Sequence, residues 1–242
     1  MFYFMYPAGL AYNLVLIAAA VIPAVILMIQ VYKLDWLEKE SPQLMKRLAI
    51  AGVLSSLLAL VEERVLSTIL VSVIPANTLA YNIILYFIIV AFAEESSKYI
   101  FLKRNTWRNP EFNCQYDGLL YAVFVSLGFA LWENISYVMS YGFSVALVRA
   151  ITAIPGHACF GVFMGVFYGL AKKFENIGDQ DNSLRYRVLA LLVPALLHGT
   201  YDFIATQPGV YSTWLFVIFV ALMFAMAFYL TRKTAKEDHY IS

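Results

Sequence analysis

Residues 79–102 read LAYNIILYFIIVAFAEESSKYIFL, an apolar run long enough to cross a lipid bilayer as one helix. Three charged residues, Glu94, Glu95 and Lys98, lie past the midpoint of this run. A charged side chain at the centre of a spanning helix costs roughly 2.5–3.5 kcal/mol. The segment therefore predicts a membrane span that carries a compensated polar group, which is either a structural ion pair or a reactive site.

The rest of the chain has the same apolar character. Of its 242 residues, 62% are hydrophobic and 14% are charged, which is typical of a polytopic membrane protein. The net charge of +1 gives no indication of a nucleic-acid partner. Seven spans are predicted, near 8–31, 48–72, 79–102, 117–139, 145–171, 188–207 and 212–231. We expect an all-α transmembrane helix bundle that forms a single integral membrane domain over residues 1–242.

The basic residues fall in alternate loops. Of the 17 Lys and Arg residues, 14 follow predicted spans one, three, five and seven, and the other three lie inside spans. By the positive-inside rule we expect the N-terminus outside and the C-terminus in the cytoplasm. Segment 33–47 is either an amphipathic helix on the inner leaflet or a plain loop, and 174–186 is predicted to be a polar loop. Span two either continues past Glu62 or ends there, followed by an interfacial segment.

The charged group of span three has two interpretations. Glu94 and Lys98 are four residues apart and share a helix face, whereas Glu95 points about 100° away. Two carboxylates this close in a low dielectric do not readily both ionise, and a carboxyl group tuned in this way suits general acid–base catalysis. The alternative is a buried salt bridge that only joins helices.

Further polar residues lie inside spans four, five and six. Glu133 and Asn134 are predicted either to support a site or to clamp two helices. His157 shares a face with glycines at every fourth residue, a pattern that permits close helix packing. His198 and Asp202 are four apart, so the carboxylate can fix the imidazole tautomer.

Counted along their helices, Glu94, Glu95, His157 and His198 lie at similar depth and predict one polar site built from three spans. Such a site is compatible with a protease that activates water or with a proton-coupled transporter. It is also compatible with a haem protein ligated by His157 and His198. Zinc held by His157, His198 and Glu94 would make a metalloprotease, although the usual HExxH helix is absent.

Four motifs in unbroken order resemble those of the PrsW family of bacterial intramembrane proteases. They are AFAEESSKY (91–99), YDGLLYAVFVSLGFALWENISY (116–137), PGHA (155–158) and LLHGTYDF (196–203). The resemblance covers about residues 84–205, which we expect to form the catalytic core. A more distant similarity to the CAAX prenyl proteases is weaker, because Lys98 replaces their arginine and Ala153 stands where their FxxxH phenylalanine would be.

The resemblance implies a multi-pass protease of the bacterial plasma membrane that cleaves a single-pass anti-sigma factor on its extracytoplasmic side. Its paired glutamates correspond to Glu94 and Glu95, and its motif histidine to His198. On this basis we expect a glutamate-type peptidase in which Glu94 activates water and His157 and His198 assist. Supporting roles are expected for a second set of residues: Lys98, Glu133, Asn134 and Asp202. No cofactor is expected, and zinc is the alternative.

Overall fold

The structure, a computed structural model, describes residues 7–76 and 78–241 and is almost entirely helical. The elements in chain order are α1 (Pro7–Leu34), α2 (Pro42–Val73), α3 (Leu79–Ile83), a π-helix (Ile84–Ala91), α4 (Phe92–Thr106), α5 (Gln115–Tyr141), α6 (Phe143–Ile151), α7 (Ala153–Asn176), α8 (Gln180–Ala205) and α9 (Val210–Lys236). Within the described ranges there is no β-strand, and an isolated bridge pairs Cys114 with Tyr240.

Seven helical segments are long and apolar enough to cross a membrane. They are Ala11–Leu34, Pro42–Val73, Leu79–Thr106, Gln115–Tyr141, Phe143–Asn176, Gln180–Ala205 and Val210–Lys236. The predicted all-α bundle of seven spans is therefore confirmed. Which end faces the cytoplasm stays a prediction, so we call the end with the Lys- and Arg-rich loops the basic end.

The structure decides between the alternatives that the sequence left open for span two and for residues 33–47. It also shows that one prediction is wrong. α2 runs without a break through Glu62 to Val73, so span two does not end early. Residues 35–41 are not helical, which favours the plain loop over an amphipathic helix across 33–47. The polar loop predicted at 174–186 shrinks to residues 177–179, because α7 extends to Asn176 and α8 begins at Gln180. Asp179 caps α8 by accepting a hydrogen bond from the backbone N–H of Asn182.

Helix α5 is the centre of the bundle. In its membrane-spanning part 78% of the residues are buried, whereas the corresponding share in the peripheral helix α9 is 17%. Helix α7 approaches it closely through the predicted glycine stripe: a Cβ added to Gly165 would lie 2.4 Å from the Cα of Leu119. On the other side of α5, an added Cβ at Gly52 of α2 would lie 2.1 Å from the carbonyl oxygen of Val125. These close crossings bring α2, α5 and α7 around one polar interior.

The π-helix leads directly into the charged segment of α4. Its turns have i→i+5 hydrogen bonds and occur frequently at functional sites. An added Cβ at Gly199 of α8 would lie 2.6 Å from the ring of Phe87, a residue of the π-helix. The wide turn and the absent side chain together bring α8 close to the helix that carries Glu94.

Candidate active site

A polar cavity of about 670 Å³ lies among α2, α4, α5, α7 and α8. Five acidic or histidine side chains that the sequence singled out line its wall: Glu94, Glu133, His157, His198 and Asp202. The lining continues to Ala205 and Thr206 at the end of α8, so the cavity extends toward the end opposite the basic loops. The structure therefore brings together Glu94, His157 and His198 of the three spans predicted to share one site, and it adds Glu133 from a fourth span.

Lys98 lies at the centre of the charged cluster on α4. Its Nζ donates to Glu95 Oε1 at 2.7 Å and to Glu94 Oε2 at 3.3 Å. The same ammonium lies 4.0 Å from the ring centroid of Phe129, a cation–π contact. Lys98 thus contacts both carboxylates, and the shorter ion pair is with Glu95, three residues away, not with Glu94.

Glu94 and Glu95 differ in their access to the cavity. Glu94 is 6% exposed and lines the cavity wall, whereas Glu95 is fully buried and is not part of that wall. Glu95 Oε1 contacts Lys98 and also lies 3.0 Å from His198 Nδ1. Glu95 is therefore a buried counter-charge, and Glu94 is the carboxylate of the pair that a molecule in the cavity can reach.

His157 is held between opposite charges. Its Nδ1 lies 3.2 Å from Lys98 Nζ, and its Nε2 lies 2.7 Å from Glu133 Oε2. An ammonium can only donate and an ionised carboxylate can only accept, so Nδ1 accepts and Nε2–H donates. This pattern fixes the neutral tautomer that carries its hydrogen on Nε2.

His198 faces carboxylates at both ring nitrogens. Nδ1 lies 3.0 Å from Glu95 Oε1 and 3.9 Å from Glu94 Oε2, and Nε2 lies 3.4 Å from Asp202 Oδ2. Two ionised acceptors require a hydrogen on each nitrogen, so the arrangement fits the imidazolium form. The ring stacks on Phe160 with centroids 4.6 Å apart, which fixes its plane. The predicted pairing of His198 with Asp202 is present.

Asn134 does not line the cavity. Its Nδ2 donates to the backbone carbonyl of Ala20 in α1, and its Oδ1 accepts from Arg149 Nε. Of the two roles considered for it, the inter-helix clamp matches these contacts. Its neighbour Glu133 contacts His157 and lines the cavity, because adjacent helical residues point about 100° apart.

Three charged residues of the cavity wall were not predicted as site residues. Arg149 pairs with Glu133 at 3.0 Å and lies over the ring of Tyr137. Glu63 and Arg64 reach the same wall from α2. All three are charges inside predicted spans, and that signal was present in the sequence. The sequence does not show toward which neighbour each helix face turns.

A candidate metal-binding group overlaps the pair Glu94 and Glu95. Ligand atoms of Glu94, Glu95 and His157 lie within 4.8 Å of one another, the one group of three or more found among the described residues. It contains Glu95 where the predicted set of His157, His198 and Glu94 has His198. Lys98 Nζ contacts one atom of each member of the group, so an ammonium already lies at its centre.

Comparison with known proteins assigns the family. The family model described as "PrsW family intramembrane metalloprotease" matches residues 40–228, a range that contains every candidate site residue. A Protease PrsW of Shouchella clausii is 30% identical over 221 residues, which is 91% of this chain and 97% of that protein. The Protease PrsW of Bacillus subtilis is 31% identical, covering 91% of this chain and 94% of its own length.

A third relative matches a shorter region. The Protease PrsW of Oceanobacillus iheyensis is 35% identical over 155 residues, 63% of this chain and 68% of that protein. No solved structure matches the chain. The family match, the near full-length similarity to bacterial relatives and the seven apolar helices agree with one another. The chain belongs to the PrsW family, and it is a multi-pass intramembrane protease of a bacterial membrane.

Proposed function

We propose that the chain cleaves a single-pass membrane protein by a glutamate-activated water molecule, with Glu94 as the general base. The observation that carries this proposal is the unequal environment of the two glutamates. Glu94 lines the polar cavity, whereas Glu95 is fully buried against Lys98 and His198. A general base must reach the water whose proton it takes, and of the pair Glu94 has that access.

The reaction requires two proton transfers. The Glu94 carboxylate takes a proton from water as the water oxygen bonds to the scissile carbonyl carbon, and the carbonyl oxygen becomes an oxyanion. The positive charge of the His198 imidazolium, whose two N–H groups face Glu95 and Asp202, stabilises the oxyanion electrostatically. When the C–N bond breaks, protonated Glu94 returns its proton to the leaving amine. Glu94 is thereby restored, and no covalent enzyme intermediate forms.

Neighbouring residues hold these groups in position. Glu95 and Lys98 supply opposite charges behind Glu94, and Asp202 orients His198. Glu133 orients His157 through Nε2, and Arg149 in turn contacts Glu133. Preorganised charges in a site of low dielectric stabilise a developing oxyanion without a reorganisation cost.

The cavity and the family resemblance support a proposal for the substrate class. A peptide must be extended or unwound for its carbonyl to meet Glu94, and polar side chains on the cavity wall can bind backbone groups released from a helix. The cavity extends toward the end opposite the basic loops, where an extracytoplasmic cut in an anti-sigma-factor-like protein would occur. We propose such a single-pass protein as the substrate.

Zinc is the second candidate, and it is favoured by two specific observations. The family description includes the word metalloprotease, and Glu94, Glu95 and His157 form a compact donor set. Two carboxylates and an imidazole are ligands that zinc accepts. In this arrangement Lys98 Nζ contacts one atom of each of the three residues, so the ammonium would have to move before a metal ion could bind among them.

The test is cleavage of candidate single-pass anti-sigma factors co-expressed with the protein. Glu94→Gln and His198→Ala are expected to abolish the clipped fragment while membrane insertion is retained. Glu62→Gln is the matched control, because Glu62 receives a hydrogen bond from Ser97 and does not line the cavity. Wild-type levels of cleavage by both site variants would refute the assignment.

Metal content separates the two candidate mechanisms. For the glutamate mechanism we expect purified active protein to contain no stoichiometric zinc and to keep its activity in chelator. Loss of activity in chelator that is restored by added zinc would replace this mechanism with the metal-dependent one.

A further inference from the structure

A second cavity lies at the basic end of the bundle, away from the active site. It has a volume of about 640 Å³ and is formed by the C-terminal part of α4 and by Arg187 of α8. Four of its lining side chains are basic, Lys103, Arg104, Arg108 and Arg187, and none is acidic. We call this cavity the basic pocket.

The charge of the basic pocket is not neutralised by carboxylates. Among the described residues, none of its four cations forms an ion pair. Lys103 Nζ and the Arg187 guanidinium instead lie 5.9 and 5.6 Å from the ring centroid of Trp107. In the active site, by contrast, Lys98 and Arg149 are both paired with glutamates. The basic pocket is therefore a concentration of positive charge without its own counter-ion.

The surroundings of the basic pocket place it at the membrane surface. Ile100, which lines the pocket, is 51% exposed and lies one helical turn before Arg104 on the spanning segment Leu79–Thr106. Tyr99 and Trp107 also line it, and such aromatic residues are enriched where a bilayer meets water. One side of the pocket is thus apolar and faces the hydrocarbon region, and the other side is cationic.

We propose that the basic pocket binds the phosphate headgroup of an anionic phospholipid. The phosphate oxygens accept hydrogen bonds from the guanidinium groups of Arg104, Arg108 and Arg187, which suit phosphate geometry. The acyl chains leave the pocket past Ile100. Basic pockets at helix ends recognise anionic lipids in this way, whereas a free phosphate ion would make no use of the apolar side.

The test measures lipid binding to the full-length protein in detergent by native mass spectrometry. The protein is titrated separately with phosphatidylglycerol, phosphatidylcholine and inorganic phosphate. We expect phosphatidylglycerol to bind at least roughly tenfold more tightly than phosphatidylcholine, since several attractive charges contribute. Inorganic phosphate at millimolar concentration is expected not to displace it.

Two variants with equal loss of charge locate the binding. R104Q/R108Q removes two exposed pocket arginines, and K46Q/R185Q removes two exposed cations at the same end that do not line the pocket. If each lost charge weakens binding about fivefold, R104Q/R108Q should weaken phosphatidylglycerol binding roughly 25-fold. The second should change it less than about twofold. Melting temperatures in the same detergent show whether both variants remain folded.

Three outcomes would overturn the proposal. Equal binding of the two lipids by the wild type would do so without any variant. Equal weakening in R104Q/R108Q and K46Q/R185Q would show attraction to the whole basic end instead of a pocket. Displacement of phosphatidylglycerol by inorganic phosphate would make the pocket a site for a free anion.

Discussion

Replacing Glu94 and Glu95 in turn by glutamine is expected to separate catalysis from stability. The two substitutions are chemically identical and fall on adjacent residues, but the contacts removed differ. Glu94 faces the cavity and is the more distant of the two partners of Lys98, at 3.3 Å. Glu95 is fully buried and contacts Lys98 at 2.7 Å and His198 at 3.0 Å.

The expected magnitudes follow from these contacts. Glu94→Gln removes the proposed base, so cleavage should fall by roughly 10²- to 10⁴-fold. Lys98 keeps its shorter partner, so the loss in unfolding free energy should be only about 1 kcal/mol. Glu95→Gln leaves a buried ammonium short of its closest counter-charge, which costs roughly 3–5 kcal/mol. For a chain of this size that loss lowers the melting temperature by roughly 10 °C.

Cleavage activity and thermal stability can be measured on the same set of proteins. Cleavage of a tagged single-pass substrate is followed by immunoblot, and unfolding of the purified protein is followed by heating in detergent. Glu62→Gln again serves as the control for removal of an intramembrane carboxylate outside the cavity. The reasoning is refuted if Glu94→Gln retains activity within about tenfold of the wild type. It is equally refuted if Glu95→Gln melts within about 2 °C of it.

Three further outcomes can be checked by substitution. Glu133→Gln removes the charged acceptor that orients the α7 histidine, so activity should fall roughly 10- to 100-fold in the same cleavage assay with the protein still folded. Gly165→Ala forces a Cβ to 2.4 Å from the α5 backbone and should cost roughly 1–3 kcal/mol in thermal unfolding. Gly156→Ala should be tolerated, because the added Cβ would lie in ordinary contact with a ring carbon of Tyr201 at 3.6 Å. At the basic end, burial raises the pKa of Asp35 from 3.8 to about 6, so the folded state loses stability as pH rises through that range. Asp35→Asn should therefore melt at a higher temperature than the wild type at about pH 8, but not at about pH 4. An equal difference in melting temperature at both pH values would contradict this.

The number of spans and the grouping of polar side chains from different helices could be predicted because both depend on the cost of polarity in lipid. About 20 apolar residues are needed for each crossing, and such runs are visible in the sequence. Charged and polar groups inside those runs must be compensated by neighbouring helices, which identified Glu94, Glu95, His157 and His198. The structure places the first three around Lys98, and His198 contacts Glu95.

What could not be predicted depends on how each helix turns toward its neighbours. Residue spacing favoured Glu94 as the partner of Lys98, but side-chain packing gives the shorter contact to Glu95. Glu62 looked like an interruption of span two, yet it receives a hydrogen bond from Ser97 of α4 and the helix continues. Arg149 compensates Glu133 from the short helix α6, a contact that the sequence does not reveal.

The π-helix at Ile84–Ala91 ties the direction in which Glu94 points to the length of this segment. A π-helical segment holds an extra residue relative to an α-helix, because its i→i+5 turns contain more residues than α-helical turns. Replacements that convert the segment to α-helical turns at the same length would therefore rotate everything that follows by about 100° and turn Glu94 away from the cavity wall. Deleting one residue while restoring α-helical turns would keep Glu94 on that wall. A family member one residue shorter in this segment would thus place its paired glutamates correctly with an uninterrupted α-helix.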